Sequence, residues 1–161
     1  TRYIVTDNRV WFGGGMDITP YVDDLDLISW YHNELQTMCN KYDGKLYTQL
    51  SKNCDDYFYL PHRKEHRGAG GIFFDYQNNG FDQDFAFVQD VGTTFCSIMK
   101  HLISSTRYAD FTDKDKEAQL IKRGRYAEFN LLYDRGTRFG LESGGNVDAI
   151  MMSLPPNCKW P

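Results

Sequence analysis

The chain has 161 residues, of which 41% are hydrophobic and 25% charged, with a net charge of −4. That is the size and composition of one globular domain or part of one. The acidic balance gives no basis for non-specific nucleic-acid binding, and no apolar run approaches the roughly 20 residues that span a bilayer.

Residues 2–6 and 9–19 read as two strands joined by a turn at Asp7-Asn8. In the second strand, Trp11-Phe12-Gly13-Gly14-Gly15-Met16-Asp17-Ile18-Thr19-Pro20, side chains alternate between two faces. Phe12, Gly14, Met16 and Ile18 make a core face. Trp11, Gly13, Gly15, Asp17 and Thr19 make a face stripped of side chains at its centre, with one carboxylate beside the bare patch. Either a bulge or close backbone packing explains these glycines, or a large flat ligand lies on the bare main chain and meets Asp17.

Pro20 ends the strand. Asp23 and Asp24 supply N-caps and first-turn acids for a helix whose apolar stripe is Ile28, Tyr31, Leu35, Met38 and Tyr42, closed by Gly44. A second helix runs from about Leu46 to Tyr59 and stops at Pro61. The segment Gly70–Asp75 is a short buried strand, and 77–80 a loop. A long helix covers about 82–104, with Phe85, Val88, Val91, Phe95, Ile98, Met99 and Leu102 on its inner face. Residues 113–123 are charged and helical. Ala127, Phe129, Leu131 and Tyr133 alternate with Glu128, Asn130, Leu132 and Asp134, which predicts a strand with one polar face. A final strand is expected at 147–153. Strands interleaved with helices predict a sheet covered by helices.

Four cysteines, Cys39, Cys54, Cys96 and Cys158, lie at long irregular spacings without a C-x-x-C pair, as buried free thiols of a reducing compartment do. Three groups of residues could carry chemistry. Asp17 beside its glycines is the first. The second is Pro61-His62-Arg63-Lys64-Glu65-His66-Arg67-Gly68, either a solvated basic loop or a site for carboxylates, which arginine binds two oxygens at a time. The third is Asp134-Arg135-Gly136-Thr137-Arg138 followed by Gly144-Gly145-Asn146, either a salt-bridged turn or charges set over a cleft with a loop whose N–H groups hold anions. His32 flanks the apolar stripe, and His62 and His66 lie four apart after a proline. Packed or interface histidines fit this spacing better than a metal site, which needs three or four converging ligands. No Ser-His-Asp order, P-loop or G-x-G-x-x-G fingerprint is present.

These groups, in this order, resemble the oxygen-dependent coproporphyrinogen-III oxidase family. The strings that carry the resemblance are WFGGGMDITP at 11–20, the helix around His32, KNCDDYFYLPHRKEHRGAGGIFFD at 52–75, RGRYAEFNLLYDRGTRFGLESGG at 123–145 and IMMSLPP at 150–156. Together they cover nearly the whole chain. The resemblance implies an α+β fold, a flat and mainly antiparallel sheet with helices on both faces, of which residues 1–161 supply part as one domain. It implies a homodimer and the oxidative decarboxylation of coproporphyrinogen III to protoporphyrinogen IX, with O2 as co-substrate and carbon dioxide and hydrogen peroxide as products. No organic cofactor is implied, and a metal is not favoured.

Carried over by position, the resemblance gives Asp17 as the acid at the substrate's pyrrole nitrogens and Asp134 and Arg135 as the acid–arginine pair of the DRGT motif. Gly144, Gly145 and Asn146 become a substrate-contacting loop, although many members have arginine where Asn146 stands. His62 matches a histidine linked to dimerisation, and His32 and His62 match positions proposed as metal ligands. The stretch from Tyr126 to about Met152 matches the dimer-forming region. Family members are about twice this length, and their N-terminal half carries an H-x-N-x-R motif whose histidine is assigned as proton donor. Arg2 matches the arginine of that motif and serves as a substrate-binding residue, whereas the histidine has no counterpart here. The expectation is therefore the C-terminal half of a larger oxidase domain, inactive alone, with sheet edges that promote dimerisation or aggregation. A tetrapyrrole-binding or dimerisation module without turnover is the alternative, and a hydrolase with a histidine-bound metal a third reading. No targeting segment is visible, which favours the cytosol over mitochondria.

Overall fold

A computed structural model describes residues 1–21 and 24–161. Strand β1 (Arg2–Val5) turns back into β2 (Val10–Ile18), and β2 pairs on its other side with β5 (Gly70–Gln77), giving an antiparallel sheet in the order β1-β2-β5. Between β2 and β5 the chain forms α1 (Leu25–Cys39), α2 (Leu46–Tyr57) and a two-stranded ribbon of β3 (Tyr59–Leu60) and β4 (Glu65–His66). After β5 come α3 (Phe81–Thr106), α4 (Asp113–Leu132), α5 (Arg135–Glu142) and α6 (Val147–Met151).

The period-2 pattern of β2 sorts the sheet as expected. Phe12 and Met16 of β2 join Ile72 and Phe74 of β5 on one buried face, against Tyr31, Leu35 and Met38 of α1 and Phe87, Val91 and Ile98 of α3. The Tyr31 hydroxyl donates to the Met16 carbonyl at 2.9 Å, so a buried polar group is satisfied and α1 is pinned to β2. Gly71 crosses here at φ 154°. A Cβ there would stand 2.0 Å from the Met16 carbonyl oxygen, which excludes any larger residue. On α3 the inner stripe is rotated from the expected one. Phe87 joins Val91, Ile98 and Leu102 inside, while Phe85 and Phe95 are exposed.

The opposite sheet face meets the C-terminal ends of α2 and α4. Phe73 stacks on Tyr57 with ring centroids 4.2 Å apart and planes 9° apart, and Phe58 packs against Phe129 at 5.0 Å. Helices thus cover both faces of an antiparallel sheet, the α+β architecture expected. The α1 cap is Asp24, whose carboxylate accepts from the Leu27 N–H; Asp23, the other expected cap, lies outside the described residues. All four cysteines are free, with Cys39 and Cys54 buried and Cys96 exposed. Burial pushes the Cys54 thiol up to about 12, which leaves it inert.

Two expected strands are helices. Residues 127–132 continue α4, and 147–151 form α6. In α4, Thr112 and Asp115 make a reciprocal capping box, and a run of good helix formers carries the helix through the apparent alternation. Gly124, Ala127 and Asn130, buried at three-residue intervals, make one inner face, Phe129 is buried beside it, and Leu131 and Leu132, part of the strand pattern, are exposed. Gly124 is tolerated mid-helix because the C-terminal segment crosses there: a Cβ would lie 2.4 Å from the Lys159 carbonyl. Asn146 caps α6 by accepting from the N–H groups of Asp148 and Ala149.

Candidate functional site

The sheet face opposite the core carries the chemistry. At its α1 end, β2 presents Asp17 opposite Gly71. Asp17 Oδ2 is ion-paired with the Arg67 guanidinium. Arg67 is 6% exposed at its side chain and Asp17 23%, so the pair sits at the rim of the protein interior. The guanidinium lies 3.9 Å above the Phe58 ring, with Tyr126 and Phe129 at 5.1 and 5.0 Å, an aromatic seat that offsets its desolvation. Arg67 Nε has no hydrogen-bond partner among the described residues. The lone acid expected from the sequence therefore has a fixed cationic partner, drawn from the 61–68 run.

His62, Arg63 and Glu65 of that run are also engaged. Arg63 binds Glu128 through Nε at 3.0 Å and a terminal nitrogen at 2.6 Å, His62 Nε2 meets the same carboxylate at 2.7 Å, and Arg125 Nε holds Glu65 at 2.5 Å. Hydrogen bonds from Arg63, then from His62, hold the Glu128 carboxyl down at about 2. The run is exposed at His62, Lys64, Glu65 and His66, but its arginines are already paired, Arg63 with Glu128 and Arg67 with Asp17, so neither is a free carboxylate site. Its charges clamp the β3–β4 ribbon to α4.

Two strand positions further along β2, the bare shelf is not bare. Gly15 pairs with Phe73, and a Cβ on Gly15 would lie 3.2 Å from the Phe73 ring. Gly13 lies beneath an ion cluster. A Cβ there would stand 2.7 Å from Asp75 Oδ1 and 3.0 Å from Arg2 Nε. Close packing thus explains these two glycines, and an open shelf for a macrocycle over them is corrected. Asp75 accepts from Arg2 at 2.7 Å and from the Trp11 indole at 3.1 Å, and Arg135 stands 3.5 Å away. Sequence reasoning left Asp75 out. Its signal was parity: two positions after Phe73, which pairs with Gly15, it shares the Asp17 face.

Asp134 and Arg135 do not end a strand. Asp134 caps α5, accepting from the Thr137 N–H at 2.6 Å and from the Tyr57 hydroxyl at 3.0 Å. Arg135 begins α5 with its guanidinium 5.1 Å over the Tyr57 ring and turned to Asp75. The two neighbours act separately, one fixing the helix and the other facing the sheet. The hydrogen bond with Tyr57 raises the Arg135 pKa further, and burial raises that of Tyr57.

The Gly144–Gly145–Asn146 loop is exposed, but the main-chain donors of its two glycines are spent. The N–H groups of Gly144 and Gly145 close α5 on the carbonyls of Leu141 and Gly140, and the Asn146 side chain caps α6. Its main chain is therefore not an anion nest. His32 and His62 stand apart. His32 Nε2 donates to the Ala69 carbonyl at 2.9 Å while Nδ1 accepts from the Tyr47 hydroxyl at 2.8 Å, and His62 lies between Glu128 and Tyr133. Among the described residues no group of three His, Cys, Asp or Glu is placed to hold a metal ion.

A cleft of about 390 Å³ opens beside the Asp17–Arg67 pair, between Thr19, Pro20 and Ile28, the 65–69 segment, and Ile121, Lys122 and Arg125 of α4. Asp17 itself faces only a narrow crevice, and Arg67, His66 and Gly68 form the wall between the two. The roomy cleft is thus separated from Asp17 by that wall.

An α+β chain whose non-core sheet face is set with alternating acids and arginines has the polarity to meet a polycarboxylate. The family model described as Coproporphyrinogen III oxidase matches residues 1–161. Oxygen-dependent coproporphyrinogen-III oxidases of Rickettsia bellii (strain OSU 85-389) and Rickettsia rickettsii (strain Sheila Smith) are 54% and 55% identical over 161 residues, covering 99% of this chain. The chain belongs to the coproporphyrinogen III oxidase family. It spans 57% of the length of each of those relatives.

Proposed function

We propose that the chain forms the C-terminal part of an oxygen-dependent coproporphyrinogen-III oxidase domain. Its sheet face would then be one wall of the substrate site. The observation that carries this reading is the Asp17–Arg67 pair beside the Arg2–Asp75–Arg135 cluster, both on the face of the sheet away from the main core. A porphyrinogen has pyrrole N–H donors at its centre and carboxylates on its rim. Arg67 fixes Asp17 through Oδ2 and leaves Oδ1 to accept pyrrole hydrogen bonds and to stabilise positive charge growing on the ring. Arg2 and Arg135, both about half exposed, are placed for propionates.

For each of two propionates, the side chain loses carbon dioxide and a β-hydrogen with its electron pair. O2 takes up those two electrons, the hydrogen and one further proton to become hydrogen peroxide, and a vinyl group remains. The electron-rich substrate can reduce oxygen itself, so the protein's task is to bind, orient and accept protons. No cofactor beyond O2 enters this reading. Gly144, Gly145 and Asn146 serve as a peripheral contact by their position beside α5. Asp134 acts by fixing the start of α5 and so the direction of Arg135.

The proposed assembly is a homodimer formed through the Tyr126–Met152 region. Exposed apolar residues support this: Phe139 is 73% exposed, Val147 55% and Met152 84%. His62 would contribute by holding Tyr133 and Glu128 at that surface. The cytosol is the proposed compartment; no helix among the described residues is long and apolar enough to cross a membrane.

The test fuses the chain behind the upstream part of the Rickettsia bellii relative and follows protoporphyrin fluorescence under oxygen. A folded hybrid should turn over, its Asp17→Ala form should lose most activity while keeping its circular dichroism, and the 161-residue chain alone should show little. Turnover unaffected by Asp17→Ala, or a folded hybrid that binds coproporphyrin yet releases no carbon dioxide, would contradict the reading, the latter favouring a binding module.

A further inference from the structure

We propose that Asp75 is a positioning residue that assembles Arg2 and Arg135, from opposite ends of the chain, into one clamp for a single substrate carboxylate. The inference rests on the polycarboxylate reading of this sheet face and deepens it by naming what builds the clamp. The pairing of β2 with β5 slips at this point: Phe12 is opposite Gln77, but Gly14 is opposite Phe74. Two residues of β5, Asp75 and Tyr76, therefore stand against Gly13 alone, which is a β-bulge. Tyr76 takes φ 56°, an unfavourable value for a bulky residue. The bulge sets both side chains on the Asp17 face, where the Tyr76 ring stacks on Trp11 with centroids 5.3 Å apart.

Asp75 is held from below and reads upward. Its Oδ1 accepts from the Trp11 indole and from the Tyr76 N–H, at 3.1 and 3.0 Å. That leaves Oδ2 for the two guanidinium groups, Arg2 at 2.7 Å and Arg135 at 3.5 Å. The carboxylate is 12% exposed, whereas Arg2 and Arg135 are 48% and 57% exposed. One largely shielded negative charge thus holds two half-exposed positive charges, and the cluster keeps one net positive charge. The Tyr57 ring below Arg135 limits its swing. Without Asp75 the two guanidiniums would repel and move apart, since they have no other carboxylate in common.

The position of Gly13 agrees with this design. Any side chain there would displace Asp75 Oδ1 or Arg2 Nε. The glycine permits the ion cluster to sit on the main chain. A bare face for the ligand is not what it provides.

The experiment titrates the 161-residue chain with coproporphyrin III, the oxidised tetracarboxylate that cannot react, following the Soret band. The forms compared are wild type, Asp75→Asn, Arg135→Gln and the double variant, with circular dichroism to confirm folding. Asp75→Asn should weaken binding about tenfold, the loss of one well-oriented charge-assisted contact. It should do so although it makes the face more positive, and the double variant should bind no more weakly than Arg135→Gln. Equal or tighter binding by Asp75→Asn would show that Asp75 only competes with the ligand, and additive losses would show that it does not act through Arg135; either overturns the proposal. Arg135→Gln weakening with Asp75→Asn unchanged removes this inference and spares the reading of the face. No binding by wild type, or equal binding by wild type and Arg135→Gln, removes both. Should Asp75→Asn unfold the sheet edge, Trp11→Phe carries the test by removing the indole N–H that holds Asp75 Oδ1 while keeping an aromatic ring beside Tyr76. About threefold weaker binding supports the clamp, and unchanged binding overturns it.

Discussion

Asp17 shows how far one residue's role depends on its partner. As a strand position it looks like an isolated acid beside glycines. In the fold it is half of a rim-buried pair whose other half, Arg67, rests on three aromatic rings. Removing the negative charge leaves a buried guanidinium without an anionic partner. Asp17→Asn should therefore destabilise the chain by about 2 kcal/mol in urea unfolding, the scale for orphaning a buried charged group. Unchanged stability would mean that the pair is solvated. The partner was not legible from sequence, because Arg67 lies in a run of six titratable residues whose spacing says nothing about which of them turns inward. Asp75 was hidden for a related reason. Its importance comes from Arg2 and Arg135, which are 73 and 60 positions distant along the chain.

At the scale of elements, local chemistry predicted well where tertiary contacts agree with it. The β1–β2 hairpin, the Asp24-capped α1 and the glycine-flanked β5 all stand as expected. The failure came at 127–132, where alternation of Ala127, Phe129 and Leu131 imitates a strand. The capping box at Thr112 starts a helix that runs for 20 residues, and burial of Ala127 and Asn130 on one side and of Phe129 on another keeps it helical. That helix matters because Glu128 receives His62 and Arg63 from the ribbon that positions Arg67. Glu128 has a folded value of about 2 against 4.5 for the free side chain. A lowered folded pKa stabilises above the unfolded value, and that contribution is lost as pH falls from about 4.5 toward 2. The urea midpoint of wild type should drop more steeply over that window than the midpoint of Glu128→Gln. Parallel curves would mean that the clamp contributes nothing.

The whole molecule is a sheet with unlike sides. One is sealed by α1 and α3 into the main core; the other carries two arginine–carboxylate groups, separated by the Phe73–Tyr57 stack. Sequence alternation along β2 revealed this division, and the family motifs underlie the reading of it proposed above. Neither could reveal that the glycines make room for side chains from distant segments. The account's central claim is that a carboxylated tetrapyrrole meets the polar side. Amide hydrogen exchange of the chain, with and without excess coproporphyrin III, tests that claim most directly. Slowed exchange should appear in 13–17, 73–76 and 134–137 and spare the α1 and α3 side. Protection confined to α1 and α3, or none at saturating porphyrin, would contradict it.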